Sequence, residues 1–347
     1  MTDQLPAARA ASEPEAWDGS AGEPKLKDLD FNDLFFSELG EAFIRGLDDL
    51  DGSDTRTPPL VGVPGEVLPD LYRLHRSVCE RGQREREFFM DYDGMRFRVN
   101  HIDDVEGTWY TLRRLMWPIP RLATLNGIPP TVKHYLGYLG RSRNGLLLIA
   151  GATGEGKTTT ACSLLQEYLI KYGNVAVTVE DPPELPLSGP HGRGGHCFQT
   201  QVRNKDFAAA MEATMRRSPR YILLGEVRGA REASEAIRAA ANGHLVITTI
   251  HAGDVTQAIN ALLKFIAVSE SIDLARLILA EGLLGVMHQK MVKLPGKKNR
   301  LLRIQSLFPG GDTGIRSLIR NGRTEQLGTA IAAQASKILQ GKLPVEG

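Results

Sequence analysis

The chain has 347 residues, with 42 Lys+Arg against 41 Asp+Glu, 42% apolar and 6% aromatic residues. That length predicts about two domains of ~100–200 residues each, and the apolar share excludes wholesale disorder. No apolar run approaches the ~18–20 residues that cross a bilayer, and the opening MTDQLPAARAASEPEAWDG lacks the basic-then-apolar order of a secretory signal. Cys79, Cys162 and Cys197 show no zinc-type pairing, and their odd number argues against a disulfide framework. Charge is uneven: residues 1–60 carry 14 acidic and 5 basic side chains, leaving 37 basic against 27 acidic on the rest. An acidic leader on a basic body can touch that body or a partner, or simply be solvated.

In chain order, residues 1–29 read as an acidic, disordered leader. The pattern FNDLFFSELGEAFIRGL predicts a helix with Leu34, Phe35, Leu39, Phe43 and Ile44 on one face. DDLDGSDTRTPP then breaks the chain. A helix through Leu68–Arg81 and a strand pair turning at Asp93–Gly94 complete a small α+β domain over 30–125. A linker over 126–142 ends in a short helix from Thr131. In 143–270, the runs GLLLIAG, NVAVTVE, YILLGEV and HLVITTIH alternate with helix-length amphipathic stretches, the texture of a parallel sheet flanked by helices. Residues 271–347 read as helical, with ARLILAEGLLGVMHQKMV the most apolar piece.

Gly151-Ala152-Thr153-Gly154-Glu155-Gly156-Lys157-Thr158, followed by Thr159, fits G-x-x-x-x-G-K-[ST] between a strand and a helix. Its glycines let successive N–H groups point into one concavity, and the helix brings its positive end to the same place. Lys157 adds charge for the outer phosphates of ATP, and the Thr158 hydroxyl suits Mg²⁺. Hydrolysis also needs a carboxylate for the metal, a group that orients water and added positive charge. Polar clusters stand at three later strand ends: Glu180-Asp181-Pro182-Pro183-Glu184, Glu226-Val227-Arg228 and His251. Singly, such residues are often caps or packing groups; three of them downstream of one phosphate loop point to a site.

In these residues the chain resembles the hexameric ATPases of type II secretion, type IV secretion and type IV pili. Gly151–Thr158 is similar to their Walker A motif, EDPPE at 180–184 to their aspartate box, ILLGEVR at 222–228 to their Gly-Glu Walker B motif, and GHLVITTIH at 243–251 to their histidine box. RFRVN at 96–100 and LRRL at 112–115 resemble the family's N-terminal domain. GIRSLIRNGRTEQL at 314–327 is similar to a motif of the pilus-retraction branch, with Gly314, Ser317 and Asn321 departing from it. The resemblance covers about residues 85–330. It implies an α/β fold with a RecA-like P-loop sheet, preceded by a smaller PAS-like α+β domain and followed by a helical region.

Carried over by position, the resemblance makes Glu184 the water-orienting carboxylate, Glu226 the metal-side carboxylate and His251 a sensor of the terminal phosphate; either glutamate suits either role. Thr158 and Glu226, with Glu184 as a further candidate, would hold Mg²⁺. Of the family's arginine box, Arg216 or Arg217 fits by spacing; earlier positions read Thr200 and Glu212, with Arg203 as a substitute. Arg228 fits beside Walker B. Arg96, Arg98, Arg113 and Arg114 are expected to face a nucleotide or an adjacent subunit, Arg113 as a nucleotide contact. Arg316 and Arg320, one turn apart, suit either a partner-facing element or a plain amphipathic helix whose Ile315, Leu318 and Ile319 are core.

The implied activity is Mg-dependent ATP hydrolysis by a hexameric homo-oligomer. It is placed in the cytoplasm, peripheral to an inner-membrane platform or secretion complex, with closure of a cleft between the two domains as its stroke. Only three cysteines preclude the tetracysteine subdomain of type II assembly ATPases, which favours the retraction-like branch together with conjugative and Dot/Icm-type motors. The reading is a type IV secretion or conjugative transfer motor, with pilus retraction as the alternative. A RecA-type nucleic-acid translocase is a second alternative: the basic body supports it, whereas the Gly-Glu Walker B, the aspartate box and the lack of stacking aromatics near basic runs oppose it. No direct nucleic-acid contact is expected.

Overall fold

The structure is a computed structural model that describes residues 24–47, 60–105, 107–202, 206–293 and 300–345. It divides into two compact units, residues 1–117 and 118–347. The first unit holds β1 (Asp33–Ser37), β2 (Ala42–Arg45), β3 (Leu60–Gly62), α1 (Leu68–Gly82), β4 (Glu87–Tyr92), β5 (Met95–Asp104) and β6 (Gly107–Leu115). These strands form one antiparallel sheet ordered β3-β2-β1-β6-β5-β4. Leu71, Leu74 and Val78 of α1 join Phe36, Phe97, Val99 and Leu112 in its core. The hairpin at Asp93–Gly94 forms as expected, both residues having positive φ.

Two expectations fail in this unit. The segment read as a helix from Phe31 is the β1–β2 hairpin, turning at Gly40 with φ +90°. Its apolar residues satisfy both periods, and pairing with β6 decides for the strand. Residues 24–29 of the expected disordered leader are ordered as well: Leu26–Asp28 make a 3₁₀ turn, Leu26 is fully buried, and its N–H donates to Asp70 Oδ2 at 2.9 Å. The rest of the leader and the 48–59 break lie outside the described residues.

In the second unit the chain runs through α2 (Pro130–Leu139), β7 (Gly145–Ala150), α3 (Lys157–Tyr172), β8 (Asn174–Glu180), β9 (Gly189–His191), β10 (Gly195–Gln201), α4 (Phe207–Met215), β11 (Tyr221–Val227), α5 (Ala230–Ala241) and β12 (Leu245–Ile250). Then follow α6 (Val255–Ile266), α7 (Ile272–Gly282), β13 (Leu283–Lys293), β14 (Arg300–Leu307), α8 (Thr313–Arg320) and α9 (Leu327–Leu339). The sheet order is β14-β13-β7-β12-β11-β8-β10-β9, parallel from β13 to β10 with an antiparallel strand at each edge. Every residue of β7 and β12 is buried, because helices cover both faces. One face packs on α2 and α3, the other on α4 to α9.

Here too the sequence boundaries shift. Ile119, Leu122, Leu125 and Ile128 pack with α2 into the core of the second unit, so neither 118–125 nor the 126–142 linker stands apart from it. The region from 271, expected to be helical, contributes two strands. Its most apolar piece splits at Gly282, where α7 ends and β13 begins without a loop. In α8, Ile315 and Ile319 are core, Arg316 donates to the carbonyls of Ala280 and Glu281 at the end of α7, and Arg320 pairs with Glu281. Both arginines are thus engaged within the unit. Cys79, Cys162 and Cys197 are free thiols, and no helix among the described residues is long and apolar enough to cross a membrane.

Candidate active site

Parallel strands bring their carboxyl ends to one edge, and β13, β7, β12, β11 and β8 are consecutive neighbours there. The phosphate loop leaves β7 and opens α3. Gly156 takes the N-cap position of α3 with φ +77°, a left-handed conformation that costs glycine little. Gly151 sits so close to β13 that a Cβ would lie 2.5 Å from the Gln289 carbonyl oxygen. No side chain caps α3, so its first-turn N–H groups and positive end are available to an anion. Ala152, Thr153 and Gly154 are exposed, and Thr158 and Thr159 are half-buried in the first turn.

Lys157 is only 7% exposed; its ammonium donates to Ala152 O at 3.0 Å and lies 3.9 Å from Glu226 Oε1. Burial lowers its pKa, while the charges of Glu226, Glu184 and Glu155 act the other way. Glu226, 19% exposed, is gripped on both oxygens: His251 Nε2 stands 2.9 Å from Oε1, and Arg228 Nε donates to Oε2 at 2.7 Å. His251 Nε2 is also 3.5 Å from Thr153 Oγ1, tying the tip of β12 to the phosphate loop.

The glycine before Glu226 has a geometric cause. Pairing of β11 with β12 slips between Leu224 and Glu226, so Gly225 is a bulge that re-aims the glutamate. Thr249 Oγ1 donates to Gly225 O at 2.8 Å and fixes the bulge. A Cβ on Gly225 would come within 3.3 Å of Glu180 Cγ. Glu180 itself is buried, and desolvation pushes its pKa up to about 7. It accepts from Gln199 Nε2 at 2.9 Å and from the Glu184 backbone N–H. Glu184 is exposed, and its charge acts on both Lys157 and Arg228.

The structure thus brings together Lys157, Glu226, Arg228 and His251, with Glu184 near enough for its charge to act on Lys157 and Arg228. It does not bring Arg216 to them: that side chain is 76% exposed and paired with Glu212 one turn back on α4. Arg217 lies over the Phe198 ring, and Arg203 is outside the described residues. In the first unit, Arg113 donates to buried Asp33, Arg114 to Leu29 O, and Arg96 pairs with Asp91.

Two supports of the phosphate loop escape the sequence reading. Gln289 on β13 is fully buried and donates to Glu155 O at 2.5 Å, and the Glu155 carboxylate accepts the Met291 backbone N–H. Pairing of β13 with β7 ends at Ala150; beyond it, the Glu155 side chain takes the place of a strand carbonyl. A glutamine inside the apolar run GVMHQKMV was the available signal.

Residues 87–335 match the family described as type II/IV secretion system protein. The chain belongs to this family. The competence protein ComGA of Bacillus subtilis is 39% identical over 150 residues, 42% of this chain and 40% of that protein. The type IV pilus retraction ATPase PilT of Pseudomonas aeruginosa is 28% identical over 306 residues, 82% of this chain and 84% of that protein. YggR of Escherichia coli, 32% identical, aligns over 75% of this chain and 79% of its own length. The matched stretch is thus only about two-fifths of ComGA and a third of the type II secretion protein HxcR, but most of YggR and PilT. A crystal structure of the retraction motor PilT with bound ADP superposes with TM-score 0.69 at 25% identity, covering 91% of this chain and 88% of that one. The Legionella pneumophila ATPase DotB shares the fold, with TM-score 0.63 at 21% identity over 89% of this chain and 84% of that one.

Proposed function

We propose that this chain is a Mg-dependent ATPase that works as a hexameric ring on the cytoplasmic side of an inner-membrane complex and drives a type IV secretion or conjugative transfer machine. The observation that carries the ATPase reading is the convergence of Lys157, Glu226, Arg228 and His251 within 4 Å links beside an uncapped helix N-terminus. Loop and first-turn amides bind the β- and γ-phosphates, and Lys157 neutralises their charge. The residues present fit a magnesium ion: Thr158 in the first turn of α3 and Glu226 beside Lys157 are the oxygens for it. Bound there with the nucleotide, Mg²⁺ would offset charge on the outer phosphates.

Glu184, exposed yet within the field of Lys157, accepts a proton from the attacking water. His251, held by Glu226 and near Thr153, turns its ring toward the terminal phosphate and registers its departure. Phosphate release from purified protein tests this, with Lys157→Ala and Glu226→Gln as controls. A wild-type rate equal to theirs refutes the ATPase and leaves a nucleotide-gated scaffold.

Pilus retraction is the second reading, favoured by the likeness to PilT over most of both chains. Against it, the two arginines of the retraction-like motif are spent on α7. Introducing Lys157→Ala in the native host separates the two: loss of DNA or effector transfer with pili still retracting supports the transfer motor. ATPase stimulation by single-stranded DNA that fades with salt would instead favour a translocase.

A further inference from the structure

The aspartate-box loop, 181–187, carries Glu184 between β8 and β9. Its two leucines, Leu185 and Leu187, are buried in the core, which fixes the loop's depth but not the angle of its backbone. One side chain from the neighbouring strand supplies that. Gln199 of β10 donates through Nε2 to Leu185 O at 2.7 Å and to Glu180 Oε1 at 2.9 Å, and accepts the Leu187 N–H on Oε1 at 3.1 Å. The orientation of the amide is dictated by its partners: it meets Leu187 at the N–H, whose carbonyl is taken by His191, and Leu185 at the carbonyl, so the group cannot be turned over without breaking both. Glu180, at the other end of this link, accepts the backbone N–H of Glu184 itself. The chain of contacts therefore runs from Gln199 to Glu184 by two routes, one through Glu180 and one through the Leu185 carbonyl next in sequence.

We propose that Gln199 is a positioning residue for Glu184: its amide sets the backbone from which that carboxylate reaches the attacking water. The proposal rests on Glu184 acting in ATP hydrolysis as set out above. Gln199 touches neither the phosphate loop nor Glu226 in any described contact, so its loss acts on the chemical step and leaves nucleotide binding to Lys157 and α3. Removing one amide leaves the Leu187 N–H and Leu185 O in the protein interior without their partners, and the loop relaxes toward whatever acceptors it can find. A misplacement of a catalytic group by a fraction of an ångström is enough to slow a reaction without weakening binding.

The test uses the full chain and three variants: Gln199→Leu, which keeps the volume; Gln199→Glu, which keeps the acceptor for Leu187 but sets a carboxylate against Glu180 and Leu185 O; and the swap Glu180→Gln with Gln199→Glu, which restores a donor–acceptor pair between the two strands. Steady-state ATP hydrolysis, affinity for a fluorescent ADP analogue and amide exchange are measured on each. The expected result is a kcat at least tenfold lower for both single variants, with ADP affinity within twofold. Exchange should be faster at Leu187 and unchanged in α3, and the swap should recover part of the rate. In a Glu184→Gln background, Gln199→Leu should lower the residual rate no further, because the two act through one group. A Gln199→Leu enzyme within twofold of an active wild type, or a loss that simply adds to that of Glu184→Gln, overturns the positioning role alone. A wild type without hydrolysis overturns the ATPase reading, and this role with it.

Discussion

Both units bury charge, and they treat it differently. In the antiparallel unit, Asp33 is held by Arg113 at 2.9 Å and Arg45 at 3.7 Å, while Asp70 takes the Leu26 N–H at 2.9 Å, the Tyr92 hydroxyl at 2.6 Å and Arg73 at 3.3 Å. In the parallel unit, Lys157 is buried too, yet its described partners are one backbone carbonyl and a carboxylate 3.9 Å away. A buried charge whose hydrogen-bonding capacity is used up holds structure together; one with capacity to spare at the end of parallel strands is equipped for a ligand.

Substitutions can break that contrast, and the largest effect is expected at Lys157. Lys157→Ala should reduce kcat on the order of 10³-fold with little change in thermal midpoint; a comparable loss of stability would show that the lysine is structural after all. Next comes Glu180, whose carboxyl burial raises to about 7 from an ordinary value of 4.5. The native state then binds the extra proton between these values, so stability is full below about pH 4.5 and falls as pH rises to about 7, by about 3 kcal/mol. Denaturant titrations at pH 5 and pH 8 measure it, and Glu180→Gln should flatten the difference. On the other side of the comparison, Asp70→Ala should cost about 2 kcal/mol of stability and leave kcat per folded molecule unchanged. Gly225→Ala, which crowds Glu180 and disturbs the bulge, should cost about 1 kcal/mol in the barrier, or about fivefold in kcat. The smallest effect is expected at Arg216: its exposed pair with Glu212 makes Arg216→Ala neutral to within about 0.5 kcal/mol, and a large loss of ATPase activity would show that the arginine acts beyond α4.

The parallel unit was the more legible of the two. Its strands announce themselves as apolar runs ending in Gly or charge, and the phosphate loop, Glu226 and His251 stand at those ends. What stayed hidden were residues whose partners are distant in sequence. Gln289 meets Glu155 across 134 positions, and nothing local marks that contact. Strand β13 resembles a helix in sequence because a run buried on both faces, with Val286, Met287 and Gln289 all inside, shows no alternation. In the first unit, the β1–β2 hairpin is not legible because DLFFS and AFIR are too short to separate the two periods, and only pairing with β6 settles them. Arginine positions were legible as spacing but not as destination: Arg113 goes to Asp33 and Arg216 to its own helix.

The grip of the Glu155 carboxylate on the Met291 amide makes the phosphate loop an extra rung of the sheet. Sheets are stiff along their ladders, so the loop inherits a rigidity that glycines alone would deny it. It also ties the cradle to one strand: whatever holds β13 in register with β7 holds the phosphate loop as well.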